Sequence, residues 1–511
     1  MPNVLYDALF APHQGSSKPF LHLKNDDTVS YDDTVSYDEF LKLAARIAHV
    51  LRDHGIKPGD RVAVQVGKSP EALALYAACV QSGAIFLPLN TAYTPNEVEY
   101  FVDNAGPGLL VCDESAREAL TPIAGKAGAK LMTLNGDGQG TLTAEAASRD
   151  NCFETVSRTG DDLAAFLYTS GTTGRSKGAM LTHDNLLSNA QSLVEAWRFT
   201  DRDVLLHALP IFHTHGLFVA CNVILLAGGS MIFLPGFQID EVIEALPKAT
   251  SMMGVPTFYT RLLEDPRLTK DLVSHMRLFT SGSAPLLVET HNAFEKRTGH
   301  RILERYGMTE TNMTTSNPYD GERRAGTVGF PLPNVEIRVV DPETGKVLPN
   351  GEIGILEVRG PNVFKGYWQM PEKTKEEFRE DGFFITGDVV MVDQDGYVHI
   401  VGRAKDLIIS GGYNIYPKEV ELLLDEQEGV LESAVIGVPH PDFGEGVVGV
   451  VVPKKGEAFD EQALLAAIRN RIARFKQPKR IFAVDELPRN TMGKVQKNIL
   501  RKRFADTFQK G

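Results

Sequence analysis

The 511-residue chain has only four cysteines, no excess of positive charge and no long apolar run. The cysteines are scattered without a CxxC pair, which argues against a disulfide framework or a zinc site and indicates buried free thiols of a reducing compartment. The apolar stretch near residues 216–229 is shorter than the ~20 residues that a membrane span needs. The first seven residues lack the basic and then apolar pattern of a signal peptide. We therefore expect a cytoplasmic protein without membrane contact.

The charge balance is acidic, with 53 Lys or Arg against 66 Asp or Glu and a formal net charge of -13. Non-specific nucleic-acid binding needs a basic surface, so the composition argues against that class of partner. Residues 469–511 are an exception, because they contain 13 Lys or Arg and 3 Asp or Glu. This basic segment can meet anionic small molecules although the chain as a whole is acidic.

Helical and strand patterns alternate from about residue 38 to about residue 330. Ser69 and Pro70 mark the start of one helix, and short apolar runs such as residues 109–112 lie between helical segments. Helices separated by buried strands indicate βαβ units. The sequence therefore predicts an α/β fold with mainly parallel sheets flanked by helices.

The pattern changes twice towards the C-terminus. Residues 330–404 alternate like antiparallel strands with frequent Gly, Pro and Asp-Gly turns, which predicts a β-rich subdomain. After residue 405, a helix that begins at Pro417, two strands and a further helix are enough for a small α+β domain. We expect an N-terminal domain over residues 1–404 and a mobile C-terminal lid domain over residues 405–511.

Residues 26–31 and 32–37 repeat the same six amino acids. Two copies of so short a period do not make a solenoid, and a longer surface turn or hairpin costs little free energy. We expect an insertion of that kind and assign it no function.

The strongest local signal is YTSGTTGRSKG at residues 168–178, which follows the apolar run 163–167. Gly, Ser and Thr expose backbone N–H groups and hydroxyls, and Lys177 adds a positive charge, so the segment is suited to a polyphosphate. The spacing differs from the GxxxxGK[ST] of the NTPases. A flexible polar linker is the alternative, but the lysine and three glycines within eleven residues favour a phosphate-binding loop.

Four further segments follow in chain order: residues 306–311, residues 386–388, residues 402–406 with the pair 411–412, and residues 488–494. Together with the glycine-rich loop they resemble the signatures of the adenylate-forming superfamily, which includes the acyl-CoA synthetases. The resemblance covers essentially the whole chain. It implies that a carboxylate attacks Mg·ATP to give acyl-AMP and pyrophosphate, and that the thiol of coenzyme A then displaces AMP.

The resemblance assigns nucleotide binding to residues of each segment. Tyr306 offers an aromatic face to adenine, Thr309 a hydroxyl to phosphate and Glu310 a hard oxygen ligand to Mg²⁺. Asp388 and Arg403 are the ribose pair. By residue type alone, Glu310 would more often be a carboxylate at a helix start, and a turn residue after Gly387 is a common alternative for Asp388. The catalytic residues that the resemblance implies are Lys494 and Glu310. The complete nucleotide-binding set is Thr169, Ser170, Gly171, Thr172, Thr173, Gly174, Lys177, Ser283, Ala284, Glu304, Tyr306, Thr309, Asp388, Arg403 and Lys494.

By resemblance, Lys494 is the catalytic lysine, whose ammonium stabilises charge that develops between the attacking carboxylate and the α-phosphate. Most lysines are solvated surface groups, which is the alternative for Lys494. Lys405 matches the hinge about which the C-terminal domain rotates between the half-reactions, although many relatives have Asp there. Gly411 and Gly412 suit the close approach of a pantetheine arm in a CoA tunnel, or form a plain turn.

The acid substrate is indicated by segments that are most similar to malonyl-CoA synthetases. Those segments are residues 207–216, 254–263 and 281–286. A diacid has a second carboxylate that does not react, and the forked guanidinium of Arg261 is suited to bind that carboxylate. The alternative is that Arg261 is a surface residue whose aliphatic stem covers apolar surface. Ser283 can hydrogen-bond the same carboxylate. The resemblance makes His213 an aromatic gate and Met308 a limit on pocket size.

The clustered histidines His207, His213 and His215 are not expected to bind a metal. They straddle Pro210 and Gly216, with no cysteine or carboxylate nearby. The metal that we expect is Mg²⁺ at Glu310.

We therefore expect an AMP-forming acid–thiol ligase that converts malonate, ATP and CoA to malonyl-CoA, AMP and pyrophosphate. The alternative is a CoA ligase for another short acid such as methylmalonate, because one methyl group changes binding by only about 1–3 kcal/mol. A non-catalytic nucleotide-binding relative is a further alternative. The presence of Lys494, Glu310 and Asp388 argues against it, because these residues match catalytic and nucleotide-binding positions of the superfamily. We expect a monomer or weak homodimer without nucleic-acid partners. A further expected partner is a lysine acetyltransferase that acts on Lys494, since acetylation would neutralise the charge of this lysine.

Replacing Lys494 by alanine should leave a folded protein that no longer forms the acyl-adenylate but still converts supplied adenylate to thioester. The reason is that the ammonium is expected to act only in the first half-reaction. Carboxylate-dependent pyrophosphate exchange measures that step, and an unchanged exchange rate would contradict the role of Lys494.

Overall fold

The computed structural model describes residues 2–25, 30–169, 176–410, 413–469, 471–490 and 493–508. The chain divides into two compact units. The first, which we call the body, comprises Met1–Glu336 and Val358–Phe384; the second, the C-terminal unit, comprises Ile337–Glu357 and Ile385–Gly511. These units reflect spatial proximity, and the expected functional boundary at residue 405 with its hinge stays a prediction.

The strands up to residue 331 are short and mostly buried. In chain order they are β1 (Pro19–Asn25), β2 (Ser30–Ser36), β3 (Arg61–Gln65), β4 (Ile85–Pro88), β5 (Leu109–Cys112), β6 (Lys130–Thr133), β7 (Leu163–Thr169), β8 (Lys177–Thr182), β9 (Val204–His207), β10 (Ser230–Phe233), β11 (Ser251–Gly254), β12 (Leu278–Ser281), β13 (Leu303–Met308), β14 (Asn312–Ser316) and β15 (Phe330–Pro331). The strands that follow are β16 (Glu336–Val340), β17 (Ile353–Arg359), β18 (Gly366–Tyr367), β19 (Phe384–Val392), β20 (Val398–Arg403), β21 (Ile408–Ser410), β22 (Tyr413–Ile415), β23 (Val430–His440), β24 (Gly444–Pro453) and β25 (Arg480–Ala483).

Helices alternate with these strands. They are α1 (Val4–Leu9), α2 (Tyr37–Asp53), α3 (Pro70–Ser82), α4 (Pro95–Ala105), α5 (Arg117–Ala127), α6 (Thr141–Ala146), α7 (His183–Trp197), α8 (Asn222–Ala227), α9 (Ile239–Ala245), α10 (Pro256–Glu264), α11 (Val288–Thr298), α12 (Pro371–Glu377), α13 (Pro417–Asp425), α14 (Glu461–Ile468) and α15 (Lys497–Arg503). A π-helical segment, His215–Cys221, leads into α8. No helix among the described residues is long and apolar enough to cross a membrane.

Two large sheets form the body. One has nine strands in the order β15-β14-β13-β12-β11-β9-β10-β1-β2, and the other has seven in the order β18-β8-β7-β4-β3-β5-β6. The central neighbours in both sheets pair in parallel. The predicted α/β body of mainly parallel sheets is confirmed.

Local sequence explains why α3 begins and ends where it does. The Ser69 side chain caps the helix by accepting from the N–H of Ala72, and Pro70 occupies the first turn, where its missing N–H costs nothing. The helix ends at Gly83, whose φ of 74° lies in the left-handed region that glycine adopts without strain. This agrees with the predicted start at Pro70.

The parallel strands of the nine-stranded sheet end in the segments that carry candidate site residues. Strand β9 ends at His207, β12 at Ser281, and β13 at Met308. Carboxyl ends of parallel neighbours lie at one edge of a sheet, which is where α/β proteins bind ligands. The topology therefore brings together segments that lie about a hundred residues apart in sequence.

Two local expectations have different outcomes. The duplicated hexapeptide lies at the antiparallel pair of β1 and β2, as a hairpin insertion would, although residues 26–29 are outside the described residues.

The expectation that all four cysteines are buried is wrong for Cys152, which is exposed. Cys152 lies in a surface turn, where its N–H donates to the side chain of Asp150.

The C-terminal unit contains most of a four-stranded sheet, in the order β16-β17-β19-β20, and a five-stranded sheet in which β22-β21-β24-β23 are antiparallel and β25 pairs in parallel with β24. Helix α13 and strands β23 and β24 share an apolar core. The predicted small α+β C-terminal domain is confirmed as a fold. Its mobility stays a prediction.

Replacing Lys497 by methionine should destabilise the C-terminal unit by about 3–5 kcal/mol, because it removes the cation that forms an ion pair with the buried carboxylate of Glu421. Native-state amide exchange of β23 and β24 measures the opening free energy. Arg471→Met is the matched control, since it removes only an exposed pair with Glu426 and should change the free energy by no more than about 1 kcal/mol. Equal effects of the two variants would contradict this account of the buried pair.

Candidate active site

A hairpin holds both ends of the predicted phosphate-binding loop. Strands β7 and β8 are antiparallel, with Thr169 opposite Lys177, and the Thr169 hydroxyl donates to the carbonyl of Lys177 at 3.4 Å. The loop residues Ser170, Gly171, Thr172, Thr173 and Gly174 lie outside the described residues. Their phosphate-binding role stays a prediction, but its two flanks are fixed by strand pairing.

Lys177 lies in a cluster of charged side chains of the body. Its Nζ is 3.0 Å from Oε1 of Glu377 and 4.0 Å from the ring centroid of Tyr367. The Tyr367 hydroxyl is 3.0 Å from Oε1 of Glu310 and 2.7 Å from Oε2 of Glu377. The structure thus links two predicted site residues, Lys177 and Glu310, through a tyrosine and a glutamate that sequence reasoning missed.

Glu310 fits the role of a magnesium ligand. Its side chain is buried, and its carboxylate oxygens are hard donors of the kind that Mg²⁺ prefers. The described residues contain no group of three or more His, Cys, Asp or Glu arranged to hold a metal ion. A cation at Glu310 would therefore complete its coordination with phosphate oxygens and water, as Mg²⁺ commonly does.

Strand β13 and the turn after it carry Glu304, Tyr306, Met308 and Thr309. Glu304 is buried, accepts from the N–H of Gly326 at 3.2 Å and lies 3.4 Å from Nδ1 of His291. The hydroxyl of Tyr306 lies 4.0 Å from the sulfur of Met308. Tyr306, Met308 and Thr309 are half-buried, so each keeps surface that a ligand can contact.

Ser283 and Ala284 follow β12 and are both half-buried. Ser283 has a φ of 69°, an uncommon conformation for a residue with a side chain. Its hydroxyl lies 3.2 Å from Nδ1 of His215, which is the start of the π-helical segment. Two of the predicted substrate segments therefore meet at Ser283.

A buried arginine, Arg305, is the main site residue that sequence reasoning missed. Only 3% of it is exposed, and its Nε and Nη2 have no hydrogen-bond partner among the described residues. Burial lowers the pKa of Arg305 to about 9. Because this pKa is still above neutral pH, the guanidinium stays charged. A side chain at Gly282 would collide with this guanidinium, so the glycine permits the close approach. The available signal was a charged pair, Glu304 and Arg305, directly before Tyr306 within a short strand.

The histidines beside Arg305 are neutral. Burial, and next the nearby Arg305 charge, lower the pKa of His213 to about 4 and that of His215 well below its usual value. His207 instead accepts from Nζ of Lys68 at 2.7 Å and contacts the carbonyl of Gly216 at 2.8 Å. Each histidine thus serves a neutral polar role, and Arg305 supplies positive charge beside His213 and His215.

Arg261 has a different environment from Arg305. It lies on α10, is exposed, and its guanidinium carbon is 5.9 Å from the ring centroid of Phe237. Its proposed contact with a substrate carboxylate stays a prediction.

The C-terminal unit brings together Asp388, Arg403 and Lys494. Asp388 and Arg403 are cross-strand partners on β19 and β20 and form an ion pair at 2.6 Å. Lys494 as a whole is exposed, but its amine is largely desolvated. This desolvation, and next the charge of Arg403, lower the pKa of Lys494 to about 8, whereas the charge of Asp388 raises it. The predicted ribose pair and catalytic lysine are therefore electrostatic neighbours.

The predicted hinge and tunnel lie close by in sequence. Lys405 is in the one-turn helix Ala404–Asp406 between β20 and β21, and desolvation lowers the pKa of its amine. Gly411 and Gly412 lie outside the described residues. Both the hinge and the tunnel stay predictions.

The amine of Lys494 should react with an acetylating reagent with a midpoint near pH 8, because only the neutral amine is nucleophilic and the lowered pKa makes it available there. Peptide mass spectrometry of the ligand-free protein across pH 6–11 measures this. Ordinary surface lysines, with a pKa near 10.4, are internal controls. A midpoint for Lys494 equal to that of the other lysines would contradict the account.

Two family matches cover most of the chain. Residues 17–368 match the AMP-binding enzyme family, and residues 419–494 match the AMP-binding enzyme C-terminal domain. The first match alone spans well over half of the chain and includes Lys177, Arg305 and Glu310. The second ends at Lys494.

Individual relatives agree with these matches. A malonate–CoA ligase of Arabidopsis thaliana is 37% identical over 481 residues, covering 88% of this chain and 78% of that protein. A feruloyl-CoA synthase of an Amycolatopsis species is 38% identical over 471 residues, covering 91% of this chain and 93% of that protein. The crystal structure of ATP-bound MatB from Rhodopseudomonas palustris is 58% identical, covers 100% of both chains and has a TM-score of 0.96. The chain belongs to the AMP-binding enzyme family, and within it to the acyl-CoA synthetases of the adenylate-forming superfamily.

Proposed function

We propose that this enzyme is a malonate–CoA ligase, which uses ATP to form malonyl-adenylate and then transfers the malonyl group to CoA. The observation that carries the proposal is Arg305, a buried guanidinium whose Nε and Nη2 are without a partner among the described residues. A buried charge normally has a counter-charge, because desolvation without one is costly. The non-reacting carboxylate of a diacid would supply it. The relationship to the malonate–CoA ligase of Arabidopsis thaliana supports the same substrate.

Arg305 is better placed than Arg261 to set this specificity. An exposed arginine competes with water for a carboxylate, whereas a buried fork makes charge-assisted hydrogen bonds in a low dielectric. Neutral His213 and Ser283 add polar contacts without adding charge. We therefore propose that Arg305 binds the distal carboxylate, with Arg261 in an auxiliary role.

In the first half-reaction, a carboxylate oxygen of malonate forms a bond to the α-phosphorus of ATP, and the bond to pyrophosphate breaks. Mg²⁺, when bound, neutralises phosphate charge, and Glu310 would hold it. Lys177 would bind phosphate oxygens, while Asp388 and Arg403 would hold the ribose. Protonated Lys494 would stabilise the charge that develops at the α-phosphate.

In the second half-reaction, the CoA sulfur attacks the acyl carbon, loses its proton and expels AMP. Rotation about Lys405 would replace Lys494 with a tunnel that includes Gly411 and Gly412. We also propose that the enzyme is a cytoplasmic monomer or weak homodimer. The lowered pKa of Lys494 is consistent with an amine that an acetyltransferase can modify.

A panel of acids tests the substrate. Malonate, methylmalonate, acetate and ferulate are each incubated with ATP, Mg²⁺ and CoA, and the thioesters are measured by mass spectrometry. We expect malonyl-CoA as the main product and little acetyl- or feruloyl-CoA, because a monoacid leaves Arg305 uncompensated. Preference for ferulate would contradict the proposal. Preference for methylmalonate would keep a diacid as the substrate and change only the group at its central carbon.

Replacing Arg305 by methionine should lower kcat/KM for malonate by roughly 100-fold or more, since the loss of a charge-assisted hydrogen bond to a buried carboxylate costs about 3 kcal/mol. Affinity for ATP should change little. The fold should survive, because apolar replacement of an uncompensated buried charge is commonly neutral or stabilising; the melting temperature checks this. Arg261→Met is the matched control, and a larger loss in that variant would assign the counter-charge to Arg261 instead.

A further inference from the structure

Two lysines share one carboxylate oxygen at the edge of the phosphate-binding hairpin. Nζ of Lys177 is 3.0 Å and Nζ of Lys373 is 3.1 Å from the same Oε1 of Glu377. Lys177 begins β8 directly after the glycine-rich loop, whereas Lys373 lies one turn before Glu377 on α12. One cation therefore comes from the nucleotide-binding segment, and the other belongs to the same helix as the acid.

The surroundings make the Lys177–Glu377 pair favourable. The two side chains are only 14% and 21% exposed. Oε2 of Glu377 accepts from the Tyr367 hydroxyl at 2.7 Å, and the face of the Tyr367 ring lies 4.0 Å from the Lys177 ammonium. Burial alone would raise the pKa of Glu377, but the hydrogen bond from Tyr367 and the two lysines lower it, so the acid is ionised. A phosphate that binds Lys177 must compete with these contacts.

Lys373 lowers the cost of losing Lys177. A partly buried carboxylate left without any cation is destabilised by several kcal/mol. Glu377 would keep an ion pair with Lys373 and a hydrogen bond from Tyr367 if Lys177 moved to a phosphate. The arrangement therefore allows the ammonium of Lys177 to change partners without leaving a bare buried anion.

We propose that Glu377 is a competitor for Lys177 in the nucleotide-free enzyme, and that Lys373 becomes the sole cation of Glu377 when Lys177 binds the polyphosphate of ATP. This inference rests on the nucleotide-binding part of the proposed function and is independent of the acid substrate. It makes Glu377 a residue that weakens ATP binding in the ground state. A purely positioning role, in which Glu377 holds Lys177 in its binding conformation, has the opposite sign.

The test is the dissociation constant of ATP, measured by calorimetry with the full chain and without malonate, CoA or added magnesium. Omitting magnesium separates the effect on Lys177 from any effect on Glu310. Glu377→Gln should tighten ATP binding by roughly three- to tenfold, since it removes the competing charge. Lys373→Met should weaken it by roughly threefold, because Glu377 then retains Lys177 as its sole lysine partner.

Glu376→Gln is the matched control. Glu376 is the neighbouring residue on α12, also pairs with Lys373, and is 67% exposed. This variant makes the same change in net charge and should alter ATP affinity by less than about twofold, because exposed charges are screened. The double variant Glu377→Gln, Lys373→Met should bind ATP like Glu377→Gln alone, since Lys373 acts only through the acid.

Weaker ATP binding by Glu377→Gln would overturn the inference and establish the positioning role. Equal effects of the two glutamine variants would overturn it in favour of a general charge effect. Additive effects in the double variant would show that Lys373 does not act through Glu377. Failure of the wild-type enzyme to bind ATP would overturn the proposed function as well, whereas failure to use malonate would leave this inference untouched.

Discussion

The burial of positive charge without matching negative charge is the constraint on which the proposed active site depends. Arg305 lies on β13 with Nε and Nη2 unpartnered among the described residues, and burial, together with its charge, lowers the pKa of His213 and His215 so that both are neutral. Such a group stores unfavourable free energy that an anionic ligand can relieve. Gly282 leaves the space that the guanidinium occupies. The selectivity for a diacid that we propose follows from a charge that the fold already holds in place.

Three cations, two in the body and one in the C-terminal unit, are adapted to anions in different ways. Nε and Nη2 of Arg305 have no hydrogen-bond partner among the residues that the structure describes, Lys177 shares its partner with Lys373, and desolvation lowers the pKa of Lys494. Arg305 and Lys177 are therefore more available to an anionic ligand than they would be in a dedicated salt bridge. A chain with a net charge of -13 can bind ATP, malonate and CoA in this way, because local compensation matters more than the total charge.

The sequence was most informative where function depends on local order. The α3 start at Ser69 and Pro70 and the strand Leu109–Cys112 depend on neighbours within a few residues, and the structure has them as predicted. The apolar run before the glycine-rich loop is likewise a strand, although its hairpin with β8 was not predicted. The family signatures likewise located Glu310, Asp388 and Lys494.

Arg305 and Glu377 were not predicted, because their significance arises from tertiary contacts. Nothing near residue 305 in the sequence shows that Gly282 and His213 lie beside it. Glu377 belongs to the charged helix PEKTKEE, in which a solvated side chain is the ordinary expectation. Only the fold shows that its partner is Lys177, two hundred residues away. Arg261 was selected for its residue type, and exposure is a property that residue type does not decide.

The most direct test of the central claim compares malonate with malonamate, an acid of nearly the same size in which an amide replaces the distal carboxylate. Pyrophosphate exchange measures adenylation of each acid by the wild-type enzyme and by the Arg305→Met variant. The account predicts that wild type prefers malonate by roughly 100-fold and that the variant loses this preference, because one charge-assisted contact is worth about 3 kcal/mol. Equal exchange with both acids in the wild-type enzyme, or a preference that survives in the variant, would contradict it.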